Sequence, residues 1–220
     1  MNKIEQVKEA IAKAEKRESK LSKEALEVPS MTSLNIRHLL NNLGAISTNY
    51  LECGTHLAGH FCSVVFDNSN LKSAIAIDNY SEFNMDGITM NDALKNMATF
   101  THVKTKQRLI EADCFQVKDL PKNKFDLYNY DAQHTESSQQ RAVGHFLPNL
   151  TKEFIMVVDD WAFEGVERGT RTGIMLAGLE VLFEQVFTTP EGGEPNEFWH
   201  NSFCLLYLRQ KINNGNNCKK

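Results

Sequence analysis

Apolar positions along the chain follow two different spacings. Near the N-terminus Ile4, Val7, Ile11 and Ala14 recur at helical spacing among Lys and Glu, which predicts an amphipathic helix over residues 1–27. Val28-Pro29 ends it, because a residue before proline avoids helical geometry. Ser33 can cap a second helix whose apolar side is Leu34, Leu39, Leu40 and Leu43, with Gly44 as its stop. Short apolar runs then alternate with helical patterns. Tyr50, Leu51 and Cys53 predict a strand, and residues 74–77, 108–112, 125–130 and 154–158 predict four more. Helices are expected over 59–66, from a Thr89/Asp92 capping box with Leu94 and Met97 facing inward, over 137–147, and over 166–182. A strand over 185–188, the loop TTPEGGEPNE and a strand over 202–208 read as an antiparallel pair, and the tail NNGNNCKK as a frayed end.

Strands alternating with helices imply an α/β fold: a Rossmann-like, doubly wound and mostly parallel sheet with right-handed crossovers, closed by the antiparallel C-terminal pair. The strand order is not visible in the pattern. The chain of 220 residues suits one domain. Residues 29–212 are assigned to it, 1–28 to an N-terminal helix that either packs on the domain surface or acts as a lid or oligomerisation arm, and 213–220 to the tail. A homo-oligomer is therefore one expectation.

Composition narrows the class. At 41% hydrophobic and 24% charged, the chain is ordinary globular material, and its formal net charge of −4 comes without a basic stripe, which disfavours a nucleic-acid partner. The five cysteines are scattered and form no C-x-x-C pair, which argues against zinc and disulfides and fits a reducing cytoplasm. No apolar run reaches the roughly 20 residues needed to span a bilayer, and the N-terminus is too charged for a secretory signal.

The chemistry gathers around residues 49–78. Strand, glycine turn, helix, strand and terminal acid is the layout of a nucleotide-binding crossover, with Asp78 placed to accept from a ribose diol. A dinucleotide site wants G-x-G-x-x-G, yet here Glu52-x-Gly54 is followed only by Gly59. A carboxylate beside the turn repels phosphate and suits a ligand carrying an ammonium group. This argues against the rival reading of an NAD-linked oxidoreductase. Acids also stand at every expected strand end: Glu52, Asp78, Asp113, Asp131, and Asp159 with Asp160. Like charges converging on one cleft repel, so something cationic should sit among them.

The turn YLECGT, the strand end AIAIDNYSEF, the preceding helix RHLLNNLGA and the paired ends YDAQH and VVDDW together resemble the class I S-adenosylmethionine-dependent methyltransferases, in particular the metal-dependent small-molecule O-methyltransferases. The resemblance spans about residues 33–208. It implies a seven-stranded sheet with one reversed strand. It implies that Glu52, Gly54, Thr55 and Gly59 cradle the amino acid part of S-adenosylmethionine, with Asp78 and Asn79 at the ribose and Asp113, Cys114 and Phe115 at the adenine. By the same resemblance Asp131, Asp159 and Asp160 would hold Mg2+, a hard ion that seeks oxygen ligands. Asp131 and His134 would be catalytic, with His134 taking the proton from a substrate hydroxyl. The sequence departs from the family pattern at His60 and Cys62, where small residues are usual, and at Gln133. These departures keep open a module that binds the ligand without chemistry.

Overall fold

The computed structural model describes residues 1–81, 87–101, 104–188, 199 and 201–211. Among these residues the strands are β1 (Asn49–Cys53), β2 (Ser73–Asp78), β3 (Lys106–Glu111), β4 (Phe125–Tyr130), β5 (Leu150–Val158), β6 (Leu179–Phe187) and β7 (Phe203–Gln210). They form a single seven-stranded sheet in the order β3-β2-β1-β4-β5-β7-β6. The first five are parallel, and β7 runs antiparallel to both β5 and β6. The sheet is the expected doubly wound one with its antiparallel closing pair. Its order reverses beside β1, with β2 on one side and β4 on the other, and ligand crevices open at such a reversal.

The helices are α1 (Lys3–Glu15), α2 (Leu34–Ala45), α3 (Gly59–Val65), α4 (Met90–Phe100), α5 (Glu136–His145) and α6 (Val166–Leu176). They cover both faces, which is why the central strands read as continuous apolar runs. In β5, Ile155 and Val157 pack into one core with α1 to α4, while Phe154, Met156 and Val158 pack into the other with α5 and α6.

Several expectations shift. The first helix stops at Glu15 rather than running to residue 27. Its Val7, Ala10, Ile11 and Ala14 are buried in the same core as α2, so α1 packs on the domain. The segment that follows is pinned by Arg37, whose buried guanidinium donates to the carbonyls of Ala25, Leu26 and Val28 and to Ser63 Oγ. Gly44 does not stop α2. It lies inside the helix, where a Cβ would run into the Val64 carbonyl oxygen and the Asn68 side chain, so its role is close approach to α3. The helix expected over 166–182 ends at Leu176, because Gly178 at φ +64° turns the chain and β6 begins at Leu179. The Thr89/Asp92 capping box is present, but Ala93 and Met97 face inward while Leu94 is exposed. The TTPEGGEPNE loop beyond Thr188 and the tail from residue 212 lie outside the described residues. Among the described residues no helix is long and apolar enough to cross a membrane.

Gly44 gives a direct test of the packing. Propensity alone would make Gly44→Ala stabilising by about 1 kcal/mol. The blocked approach of α3 should instead cost about 1–3 kcal/mol, read as a lower urea midpoint. An unchanged or higher midpoint would mean that the two helices are not held at this spacing.

Candidate active site

A cleft of about 1080 Å³ opens at the carboxyl ends of β1, β2 and β4. Its floor is the turn after β1, where Gly54, His56 and Ala58 have φ of +86°, +48° and +65°. Left-handed backbone at the two non-glycine positions carries strain that neighbouring contacts must hold. Asp78 holds it: its Oδ2 accepts the backbone N–H of Thr55 at 2.7 Å and of His56 at 2.8 Å, while Oδ1 accepts the N–H of Tyr80 at 2.8 Å. A carboxylate offers about four lone-pair sites, so one remains on Asp78 for a ligand hydroxyl. Gly54 also lets β4 come close, because a Cβ there would run into the Asp131 carbonyl.

Of the residues proposed from sequence for the cofactor, Gly54, Thr55, Gly59, Asp78, Asn79, Asp113, Cys114 and Phe115 all line this cleft. Asp113 accepts the Phe115 N–H at 2.9 Å and so orients the turn that presents the Phe115 ring. The Arg141 guanidinium lies over that ring, 4.2 Å from its centre. Glu52 is the exception. It is fully buried beneath the turn, takes a hydrogen bond from the Tyr50 hydroxyl, and is not on the cleft wall. Burial pushes its carboxyl up to about 7, against the opposing pull of His60 and Tyr50. A surface carboxylate waiting for an ammonium group is therefore not what Glu52 provides.

The catalytic and metal candidates also meet in the cleft. Asp131 follows β4, and Asp159 and Asp160 follow β5. His134 Nε2 is 3.1 Å from Asp160 Oδ2 and 3.8 Å from Asp131 Oδ1, and its ring packs on Phe163 at 5.3 Å. Asn201 donates to Asp160 Oδ1 at 2.7 Å and fixes that carboxylate from β7's side of the sheet. Phe163 lines the cleft, whereas Trp161 turns into the core. Arg168 and Arg171 are paired with Glu136, Glu167 and Glu184 away from it.

The residue missed as a participant is His60. It stands in the first turn of α3, is only 7% exposed, and lies between two carboxylates. Its Nδ1 is 3.4 Å from Asp131 Oδ2 and its Nε2 is 3.6 Å from Asp159 Oδ2. Burial pulls this imidazole down, but the hydrogen bond and charge of Asp131, with Asp159 and Glu52 beyond, reverse that and leave it at about 9. Asp131 is held below the usual carboxylate range because His134 and His60 bond to it, outweighing its burial. Asp159 goes the other way, raised by burial and by the charge of Asp131. His134 is raised, its burial offset by Asp131 and Asp160. The only sequence signal for His60 was its departure from the family pattern.

Magnesium does not fit this arrangement. It takes an octahedron of about six oxygens at roughly 2.0–2.1 Å and dehydrates reluctantly. Among the described residues, the groups whose donor atoms lie within 4.8 Å of one another are His60 with Asp131 and Asp159, and His134 with Asp131 and Asp160. Each contains an imidazole nitrogen. The all-carboxylate set of Asp131, Asp159 and Asp160 does not close on one point without a histidine, and the His60 ring fills the gap between Asp131 and Asp159.

The fold now has solved counterparts. The chain has the class I methyltransferase fold. It is similar to the O-methyltransferase TomG from Streptomyces achromogenes, involved in tomaymycin synthesis and solved in complex with SAM (TM-score 0.55, 17% identity, 92% of this chain and 90% of that one). It is similar to an O-methyltransferase from Bacillus cereus in complex with SAH (TM-score 0.54, 14% identity, 95% and 92% covered). A third similar structure is cofactor-bound Rv0187 from MTB (TM-score 0.57, 16% identity, 94% and 91% covered). Neither a protein-family model nor a curated protein matches the sequence.

The buried charges predict a pH profile. Glu52 has a raised carboxyl, so its contribution is full below 4.5 and is lost as pH rises to about 7. His60, also raised, contributes fully below 6.5 and loses its contribution as pH rises through about 9. The melting temperature should therefore fall across both windows, and Glu52→Gln should flatten the lower one. A wild-type profile that is level between these limits would contradict the assigned proton positions.

Proposed function

We propose that this protein is an S-adenosylmethionine-dependent methyltransferase acting on a hydroxyl of a small molecule. The observation that carries the reading is the cleft itself. A strained glycine turn is held by Asp78, with Asp113 and Phe115 on one side and Asp131, His134 and Asp160 on the other. Similarity to O-methyltransferases bound to SAM and SAH supports it.

S-adenosylmethionine, when bound, supplies an electrophilic methyl group on a sulfonium centre. The rest is done by side chains. The remaining lone pair of Asp78, with Asn79 beside it, takes ribose hydroxyls, and Phe115 offers a flat face to the adenine. The carboxylates of Asp131 and Asp160 favour positive charge at this end of the cleft. Phe163 walls the mouth and gives an apolar surface to an acceptor. Neutral His134 keeps its Nε2–H toward Asp160 and removes the hydroxyl proton with its other ring nitrogen, Nδ1, while Asp160 and Asp131 hold the ring in place and stabilise the imidazolium that forms. Those carboxylates make neutral His134 a stronger base and a rarer one, so turnover should rise toward alkaline pH. Magnesium has no part in this reading, and neither does Glu52 as a surface ligand.

Calorimetric titration tests it. Wild type should bind S-adenosylmethionine, and Asp78→Ala should bind it about 10- to 100-fold more weakly, the loss of one or two charge-assisted hydrogen bonds. His134→Gln should keep cofactor affinity and lose about 10²–10⁴-fold in turnover, the range for a general base. No binding by the folded wild type would overturn the cofactor. Binding without turnover across hydroxyl compounds would leave a binding module.

A further inference from the structure

The Phe115 ring stands at the far end of the cleft from His134, and three side chains fix it. The Arg141 guanidinium lies over it, 4.2 Å from its centre, His145 meets its edge at 5.4 Å, and Tyr130 packs against it at 6.3 Å. Arg141 belongs to α5, one turn beyond Ser137, and both line the cleft, so this side of the helix is turned toward the ligand space. On the neighbouring helix α6, Arg168 and Arg171 are paired with Glu136, Glu167 and Glu184. Arg141 is uncommitted. Among the described residues it has no carboxylate within salt-bridge distance and makes no hydrogen bond, so its five N–H donors stand open at the cleft wall.

We propose that Arg141 reads the base of the cofactor: its guanidinium donates to a ring nitrogen of adenine beside the amino group, while Asp113 accepts from the amino group itself.

At 4.2 Å the guanidinium touches the ring, so no base slips between the two. A base that reaches Phe115 meets Arg141 edge-on, where its N–H groups point. Asp113 comes from the same turn as the ring. Its Oδ1 takes the Phe115 N–H at 2.9 Å, and its Oδ2 has only a long contact from the Gln116 amide at 3.4 Å, which leaves an acceptor beside the ring. Carboxylate and guanidinium thus flank one ring and offer an acceptor next to a donor. Adenine is complementary to that pair, because its amino group is a donor with an unprotonated ring nitrogen beside it. A 6-oxo purine would set a carbonyl oxygen against Asp113 and be repelled. Stacking on Phe115 could not make this distinction, since every base has a π-face.

The inference rests on the S-adenosylmethionine reading of the cleft, and its test separates the two. S-adenosylhomocysteine and its 1-deaza and 7-deaza analogues, each with one ring nitrogen replaced by C–H, are titrated calorimetrically into wild type and Arg141→Met. Methionine keeps a soft side chain against the Phe115 ring and removes the donors. Wild type should bind one of the two analogues about 10- to 100-fold more weakly than the parent, the loss of a hydrogen bond to a charged group. Arg141→Met should bind the parent more weakly by a similar factor and no longer distinguish it from that analogue. A merely hydrated surface arginine would leave both analogue ratios the same in variant and wild type, and that result would overturn the proposal. Equal binding of all three ligands by wild type would overturn it too. Failure of the folded wild type to bind S-adenosylhomocysteine would remove the cofactor reading along with it.

Discussion

One buried imidazole among three acids is the constraint on which the site depends. Neighbouring parallel strands end together, so their terminal residues are forced into a small volume. When those residues are carboxylates, the volume must also hold positive charge or protons. Here it holds both: His60 and His134 are raised toward the charged form, while Glu52 and Asp159 are raised toward the neutral one. The cluster balances itself within the chain. This is why α3 must start where it does, directly above the ends of β1 and β4.

That requirement propagates outward. To bring His60 over the cluster, the chain leaving β1 turns through three left-handed residues in quick succession. The strain is held by Asp78 from the neighbouring strand and by the close approach that Gly54 allows to Asp131. Gly59 has the same kind of role on the outer side, where a Cβ would run into Ser30. Ser30 in turn belongs to the segment pinned by Arg37, which delivers Pro29, Ser30 and Met31 to the cleft rim. Cluster, turn and N-terminal segment are one connected arrangement, and the cleft is the space it leaves.

Much of this was legible in the sequence because the signals are local. FIMVV is buried on both faces and reads as a central strand; Ser33 and Thr89 cap the helices that follow them. The acids at strand ends are a consequence of chain direction, so they could be placed in one cleft before strand order was known. What was not legible depends on neighbours distant in sequence. Gly44 looks like a helix stop until Val64 is seen against it. Glu52 looks like a ligand for an ammonium group until Tyr50 and the turn are seen to cover it. The same holds for His60. A lone histidine after a glycine carries no message by itself, and its meaning comes from Asp131 and Asp159, some 70 and 100 positions further on. The expected magnesium ligands Asp131, Asp159 and Asp160 do reach one cleft, but nothing in the sequence pointed to the His60 ring that stands between two of them.

The most direct test of the account is a crystal structure grown with S-adenosylhomocysteine and manganese, with anomalous data collected at the manganese edge. The account predicts the nucleoside between Asp78 and Phe115, the His60 ring between Asp131 and Asp159, and no manganese peak in the cluster. A manganese peak bonded to those aspartates, or a cleft empty of nucleoside, would contradict it.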